Sequence, residues 1–302
     1  MQIKKNYILK LESGELVKVR SASEINATLD EDRTLEGLPF MPEMLQYCGR
    51  KFKVLKPIHK IIVEGLGMRH IKNTVLLDGV LCNGEAHEGC QRMCTVLWKE
   101  AWLKRVRVHG PDKSSPILSK TIDSIEVKFP CQSVNLSKAT DQLQVSFKES
   151  FRKYFYRYRF ENRGTLHRIC ILILYSIMKV KKFLGPKEID ALHGPQTTTP
   201  TVSLNLQPGE LVEIKRKEEI LKTLDLRGRN RGLEFINEMQ KYCGQQFQVM
   251  KRVERIIEEK TGKMRELSNT VTLKNVVCDG SSHGFCPRNC ILLWREIWLK
   301  RV

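Results

Sequence analysis

The chain has 302 residues, 41% of them hydrophobic, which is enough to form one large core or several small ones and excludes a single short module. Charged residues make up 28% and aromatic residues 7%, a composition typical of a globular rather than a disordered chain. Lys and Arg number 52 against 34 acidic residues, so the formal net charge is +18.

The first hundred residues predict short strands around small helices. Period-two alternation predicts a half-buried strand at residues 16–20, and the pair Ser21 and Glu24 predicts a capped helix that runs through about Leu29. Further along, we expect a short helix from Pro42 to Tyr47, strands at 52–56 and 73–77, a helix at 90–99 and a closing strand at 102–106. These elements indicate an α+β fold built from a small strand-rich unit, an SH3-like barrel or similar.

The same unit occurs twice in the chain. Gly14-Glu15-Leu16-Val17 returns as Gly209-Glu210-Leu211-Val212, and Tyr47-Cys48-Gly49 returns as Tyr242-Cys243-Gly244. Both copies close on Trp-Leu-Lys-Arg-Val, at 102–106 and 298–302. The offset is 195 residues and becomes 196 after one extra residue near Lys263. This pattern predicts an internal duplication with two homologous domains, a first repeat at 1–106 and a second repeat at 201–302, joined by a middle segment at 107–200.

Cysteine and histidine recur at matched positions in the two repeats. The candidate metal ligands are Cys48, Cys82, His87, Cys90 and Cys94 in the first repeat and Cys243, Cys278, His283, Cys286 and Cys290 in the second. Zinc prefers four thiolate or imidazole donors in a tetrahedron, so we expect one structural Zn²⁺ per repeat, about two per chain. Reduced core cysteines beside a hydrogen-bonded histidine are the simplest alternative. An iron–sulfur cluster and a Cys/His nucleophilic site are weaker alternatives.

Five donors compete for four places in each repeat. The preferred set is Cys48, Cys82, His87 and Cys90, with Cys94 as a spare ligand or a substitute for His87. Cys90 and Cys94 are expected one turn apart on the predicted helix at 90–99, where their sulfur atoms would face one point. The glycines that follow Cys82 and Cys278, in Cys-Asn-Gly and Cys-Asp-Gly, permit the tight turn of a ligating loop.

All four tryptophans also lie at matched positions. They are Trp98 and Trp102 in the first repeat and Trp294 and Trp298 in the second. A core anchor is the favoured interpretation, and a stacking platform for a base or a sugar is the alternative.

The middle segment has the largest excess of basic over acidic residues, with 16 basic and 8 acidic. Cations alternate with aromatic rings at 151–160, next to an apolar run at 169–178 that is too short to span a bilayer. Residues 148–184 are therefore predicted to be helical and basic. They could pack on the repeats, lie on an anionic membrane surface, or bind nucleic acid.

The amino terminus lacks the apolar region of a cleaved signal, and the ten-residue run at 169–178 disfavours an integral membrane protein. We therefore expect a cytoplasmic protein, or one held peripherally at a membrane. Thiols stay reduced in the cytosol, which favours metal binding over disulfides.

The chain contains Gly-Glu-Leu-Val, Tyr-Cys-Gly and Cys-x-Gly motifs and the closing Trp-[Lys/Arg]-Glu-x-Trp-Leu-Lys-Arg-Val. These motifs resemble those of a bacterial family of tandem-repeat Cys/His proteins, and the resemblance implies zinc sites. The resemblance covers both repeats and implies their layout and ligands. In that family the second copy often carries Ser at the position of Cys290, so the resemblance places Cys94 and Cys290 last among the ligands. It implies no reaction.

Together these patterns predict a non-enzymatic, zinc-stabilised binding or scaffold protein, with an unknown protein as its partner. The alternative is a nucleic-acid-binding protein that uses the small barrels and the basic, aromatic middle segment. A metal-dependent enzyme is a weaker alternative, because the sequence shows no triad, no phosphate-binding glycine loop and no paired carboxylates.

Overall fold

The computed structural model describes residues 8–106, 131–143 and 192–302. The described chain is rich in strands and has few helices, in agreement with an α+β or mainly β fold. It divides into two compact units. The first unit comprises Met1–Leu143, Leu206–Glu210 and Gln248–Trp294, and the second comprises Gln144–Asn205, Leu211–Phe247 and Arg295–Val302. These bounds differ from those of the two repeats, and the three-part domain division by sequence stays a prediction.

The strands are short except for one long hairpin. Those of the first repeat and the described part of the middle segment are β1 (Leu16–Val19), β2 (Thr34–Leu35), β3 (Leu38–Pro39), β4 (Lys51–Val63), β5 (Gly67–Leu81), β6 (Thr95–Lys99), β7 (Leu103–Arg105) and β8 (Asp141–Gln142). Those of the second repeat are β9 (Leu211–Ile214), β10 (Arg229–Asn230), β11 (Leu233–Glu234), β12 (Gln246–Arg252), β13 (Arg255–Ile257), β14 (Met264–Glu266), β15 (Thr270–Val277), β16 (Ile291–Arg295) and β17 (Leu299–Arg301).

One antiparallel sheet organises the first repeat. Its strand order is β6-β5-β4-β1-β7, and β8 pairs with a part of β5 that β6 does not cover. The last strand of the repeat therefore pairs with the first, with Lys18 opposite Lys104. The register of β4 against β5 shifts between Val54 and Lys56 and again between Ile58 and Lys60, which are irregularities typical of strongly twisted strands.

The helices are short. They are α1 (Ala22–Asn26), α2 (Gln132–Asn135) and α3 (Lys217–Leu221), together with 3-10 helices at Pro42–Tyr47, Glu85–His87, Glu100–Trp102, Asn237–Tyr242, Ser281–His283 and Glu296–Trp298. The predicted capping box is confirmed, because the Glu24 backbone N–H donates to Ser21 Oγ and the Ser21 backbone N–H donates to Glu24. The helix ends at Asn26, earlier than expected.

The predicted helix at 90–99 is wrong. No regular element covers residues 90–94, and residues 95–99 form β6, in which Trp98 lies opposite Val75. Cys90 and Cys94 therefore do not lie one helical turn apart. The closing strand begins at Leu103, because Trp102 belongs to the 3-10 helix before it.

Trp98 and Trp102 form the centre of the first repeat's core. Both are 0% exposed, and their rings meet edge to face with centroids 6.5 Å apart. The interpretation as core anchors is confirmed for these two residues, since fully buried rings cannot stack on a ligand. Between them, the Glu100 carboxylate accepts the backbone N–H groups of Leu9, Lys10 and Leu11.

Part of the second repeat completes the first unit. The β13–β14 hairpin contacts the first repeat, where the Gln91 N–H donates to the Arg255 carbonyl at 3.0 Å. The Gln91 side-chain oxygen accepts the N–H of Glu254 at 2.6 Å. Cys286 of the second repeat also belongs to the hydrophobic core formed by the first repeat, so the core of this unit contains residues from both repeats.

The second unit has its own small core. β9 pairs antiparallel with β17, and Trp298 packs edge to face on Phe235 with centroids 5.4 Å apart. Trp298 also donates its indole N–H to Thr223 Oγ1 at 3.0 Å. The Glu296 carboxylate accepts the N–H groups of Leu204 and Asn205, a contact of the same kind as that of Glu100 in the first repeat.

Candidate metal centre

Three donor side chains of the first repeat converge in the interior. The donor atoms of Glu43, Cys82 and His87 all lie within 4.8 Å of one another. His87 Nε2 lies 2.9 Å from Glu43 Oε1, and the Cys82 thiol donates to that same oxygen at 3.3 Å. The side chains of Glu43 and His87 are each 2% exposed, so the cluster is closed to bulk water.

Three separate stretches of chain bring these residues together. Glu43 is the second residue of the 3-10 helix that Pro42 starts, where the fixed φ of proline suits the first helical position. Cys82 directly follows β5, and its N–H donates to the Cys94 carbonyl at 2.8 Å. His87 ends the 3-10 helix Glu85–His87.

Gly84 makes the turn between Cys82 and His87 possible. Its φ is +79°, a left-handed conformation that side chains disfavour, and a Cβ at this position would overlap the Cys90 carbonyl. Its own carbonyl accepts the His87 N–H at 2.9 Å. Gly280 has the same φ and the same close approach, to Cys286, so the predicted need for glycine after Cys82 and Cys278 is met in both repeats.

The charges in the cluster oppose one another. Burial acts to raise the pKa of Glu43, but the hydrogen bond from His87 and smaller contributions outweigh it, so the pKa is lowered and the carboxylate is ionised. Burial, followed by the nearby Glu43 charge, raises the pKa of the Cys82 thiol. Glu43 Oε2 is buried and has no hydrogen-bond partner among the described residues. A buried carboxylate oxygen without a donor is costly unless a cation satisfies it.

The residues present fit a zinc ion. A thiol, an imidazole and a carboxylate are three of the donors that zinc takes in proteins. Donors bound at about 2.0–2.3 Å in a tetrahedron lie roughly 3.3–3.8 Å apart, so the observed separations of 2.9 and 3.3 Å need only small outward movements. An ion there would also compensate the Glu43 charge.

The structure does not gather the other candidates of the first repeat into this cluster. Cys48 is buried at the end of the 3-10 helix Pro42–Tyr47, and burial raises the pKa of its thiol to about 11. Cys90 Sγ accepts the N–H of Ile257 at 3.3 Å, and Cys94 Sγ accepts the Ser133 hydroxyl at 3.4 Å. Within the described ranges, none of these three sulfur atoms joins a group of three donors.

The candidates of the second repeat divide between the two compact units. Cys243 belongs to the second unit, and Cys278, His283, Cys286 and Cys290 belong to the first. Cys286 Sγ accepts the N–H of Ile62 at 3.4 Å. Burial raises the pKa of Cys290, against the opposing effect of Arg288. In the part of the chain that the structure describes, these four residues form no group of three donors.

Glu43 is the site residue that sequence reasoning missed, because only cysteine and histidine were considered as donors. A signal was present, since Glu43-Met44 returns as Glu238-Met239 at the common offset of 195. Met41 was missed as well. Its Sδ atom lies 3.2 Å from His87 Nε2 and its side chain is buried.

Comparisons of this chain with protein-family models, with curated proteins and with solved structures gave no match. Among the described residues, no helix has the length and hydrophobicity needed to cross a membrane. The predicted basic helical segment at 148–184 lies outside the described residues.

Proposed function

We propose that this protein is a non-enzymatic binding or scaffold protein whose first repeat is stabilised by a structural zinc ion. The observation that carries the proposal is the buried cluster of Glu43, Cys82 and His87, in which an ionised carboxylate keeps one oxygen without a hydrogen-bond donor. In the part of the chain that the structure describes, the His87 imidazole is the only group that acts on that carboxylate as an opposite charge. A divalent cation would supply one.

A structural role fits the position of the cluster. The ion would join the 3-10 helix at Pro42 to the loop that follows β5, two segments separated by 39 residues at the Glu43–Cys82 contact. Such a cross-link stabilises small domains with long loops. A hydrolytic zinc needs an open position that water and substrate can reach, whereas these side chains are shielded from solvent.

The proposal extends to the second repeat, with a total of about two zinc ions per chain and two SH3-like barrels that arose by duplication. The strand order of the first repeat, with the last strand beside the first, supports a small barrel. The dense sequence matches between the two repeats support duplication. Membership in the bacterial tandem-repeat family is proposed from the resemblance of the motifs.

The partner is proposed from charge alone. The partner would be an unknown protein, and residues 148–184 would bind an anionic membrane surface or nucleic acid. Co-sedimentation with anionic liposomes and a salt-dependent shift with RNA separate these two. Binding to neither would favour a segment that packs on the two repeats.

Elemental analysis of protein purified without chelators tests the zinc site. We expect zinc in the intact chain, and the loss of one equivalent in Cys82→Ser and in Glu43→Gln. Cys48→Ser is the matched control, because Cys48 is a buried thiol of the same repeat outside the cluster. Absence of zinc from the intact chain, or its loss in Cys48→Ser alone, would overturn the proposed site.

A further inference from the structure

Met41 is placed beside the cluster by the same turn that presents Glu43. It precedes Pro42 with an extended backbone, φ −77° and ψ 151°, and its side chain is 2% exposed. Its Sδ atom lies 3.2 Å from His87 Nε2. Met41 and Cys82 also line one small cavity.

The ring nitrogen His87 Nε2 has two close neighbours and at most one proton to share between them. His87 Nε2 faces Glu43 Oε1 at 2.9 Å and Met41 Sδ at 3.2 Å, and it carries at most one proton. Thioether sulfur has lone pairs and no hydrogen to donate. Once the His87 Nε2 and Cys82 thiol protons are released, Met41 Sδ, Glu43 Oε1, Cys82 Sγ and His87 Nε2 would be four electron-pair donors. Contacts of 3.2, 2.9 and 3.3 Å connect them in that interior region. A tetrahedral cation requires four donors of this kind.

We infer that Met41 Sδ is the fourth ligand of the first-repeat metal, which makes the site a closed set of two sulfur, one nitrogen and one oxygen donors. The inference rests on the proposed function and deepens it. With four protein ligands the ion keeps no position for water. The thioether adds a soft donor, which favours soft and borderline ions over hard ones.

The two repeats differ at the position of this ligand. At the offset of 195, Ile236 stands where Met41 stands in the first repeat, and isoleucine has no donor atom. The thioether ligand is therefore specific to the first repeat.

Zinc-edge X-ray absorption of the intact, selenomethionine-labelled chain tests this directly. We expect a selenium neighbour in the zinc coordination shell, at about half occupancy if both repeats hold zinc. Met41→Leu removes that neighbour and weakens zinc binding by about tenfold at one site. Met239→Leu is the matched control, because Met239 is as buried as Met41 and lies in the second repeat, and it leaves both readouts unchanged.

The possible outcomes distinguish failure of the zinc site from failure of the Met41 ligand. An intact chain without zinc would overturn the proposed function and this inference with it. Zinc present without a selenium neighbour, with Met41→Leu binding zinc as tightly as the intact chain, would overturn only the role of Met41. The labelled intact chain needs no substitution, so the test holds even if Met41→Leu fails to fold.

Discussion

The Sγ atom of Cys90 accepts the backbone N–H of Ile257 at 3.3 Å, across 167 positions of the chain. The reciprocal contact also exists, because Cys286 Sγ accepts the N–H of Ile62 at 3.4 Å. Cys90 and Cys286 are equivalent in the two repeats, and so are Ile62 and Ile257. Each cysteine loop of the first compact unit is therefore contacted by a strand of the other repeat.

A buried ion pair lies in the same unit, and we predict that breaking it is costly. Arg288 contacts Glu259 at 2.5 Å with both side chains under 10% exposed, and it donates to Ser133 Oγ at 2.6 Å. Glu259→Gln leaves the Arg288 charge buried without compensation, so we expect a loss of about 3–5 kcal/mol in the free energy of unfolding. Urea denaturation followed by tryptophan fluorescence measures it.

The neighbouring residue supplies the control. Glu258 pairs with Arg265 at the surface, so Glu258→Gln should lower the free energy of unfolding far less than Glu259→Gln. Equal losses in the two variants would contradict the importance of burial for the Arg288 pair.

Gly84 provides a second prediction. Gly84→Ala places a Cβ on the Cys90 carbonyl, so we expect a loss of about 3 kcal/mol or more together with loss of zinc from the first repeat. Gly89→Ala is matched to it, since Gly89 lies in the same loop with φ +75° and open space around its Cβ position. Gly89→Ala introduces only backbone strain, which costs about 1 kcal/mol. Thermal unfolding and zinc content are the two readouts, and a zinc-loaded, stable Gly84→Ala would refute the prediction.

The raised pKa of a buried thiol predicts that the protein loses stability at alkaline pH. Burial raises the pKa of Cys131 to about 11, against about 8.5 in an unfolded chain. The folded state thus holds its proton longer, so this contribution to stability is fully present below about pH 8.5 and is lost as the pH rises towards 11. Because the residue is partly exposed, we expect roughly 1–2 kcal/mol rather than the full value of the shift.

Urea unfolding of the chelator-treated protein at pH 7.5 and at pH 10.5 measures this contribution. Cys131→Ser removes the titrating group, so its stability should fall less between the two pH values. An identical fall in the two proteins would show that this thiol does not couple to folding.

Local signals were predictable from the sequence. The Ser21 and Glu24 pair specifies its own hydrogen bonds within four residues, and the capped helix is confirmed. The buried positions of Trp98 and Trp102 followed from their large apolar surface.

At other positions, pairing between distant segments determined the structure, and the prediction from local sequence failed. Residues 95–99 form a strand because β5 supplies its hydrogen-bonding partner, with Leu76 opposite Leu97, and nothing within the segment specifies that partner. Glu43 lies 39 residues before Cys82, so its approach to the thiol depends on how the 3-10 helix packs against the end of β5. A search restricted to cysteine and histidine spacing could not find it.

The reciprocal contacts of Cys90 and Cys286 link the parts of both repeats that form the first compact unit. Neither repeat could be removed without taking a hydrogen-bond donor and an acceptor away from the one that remains.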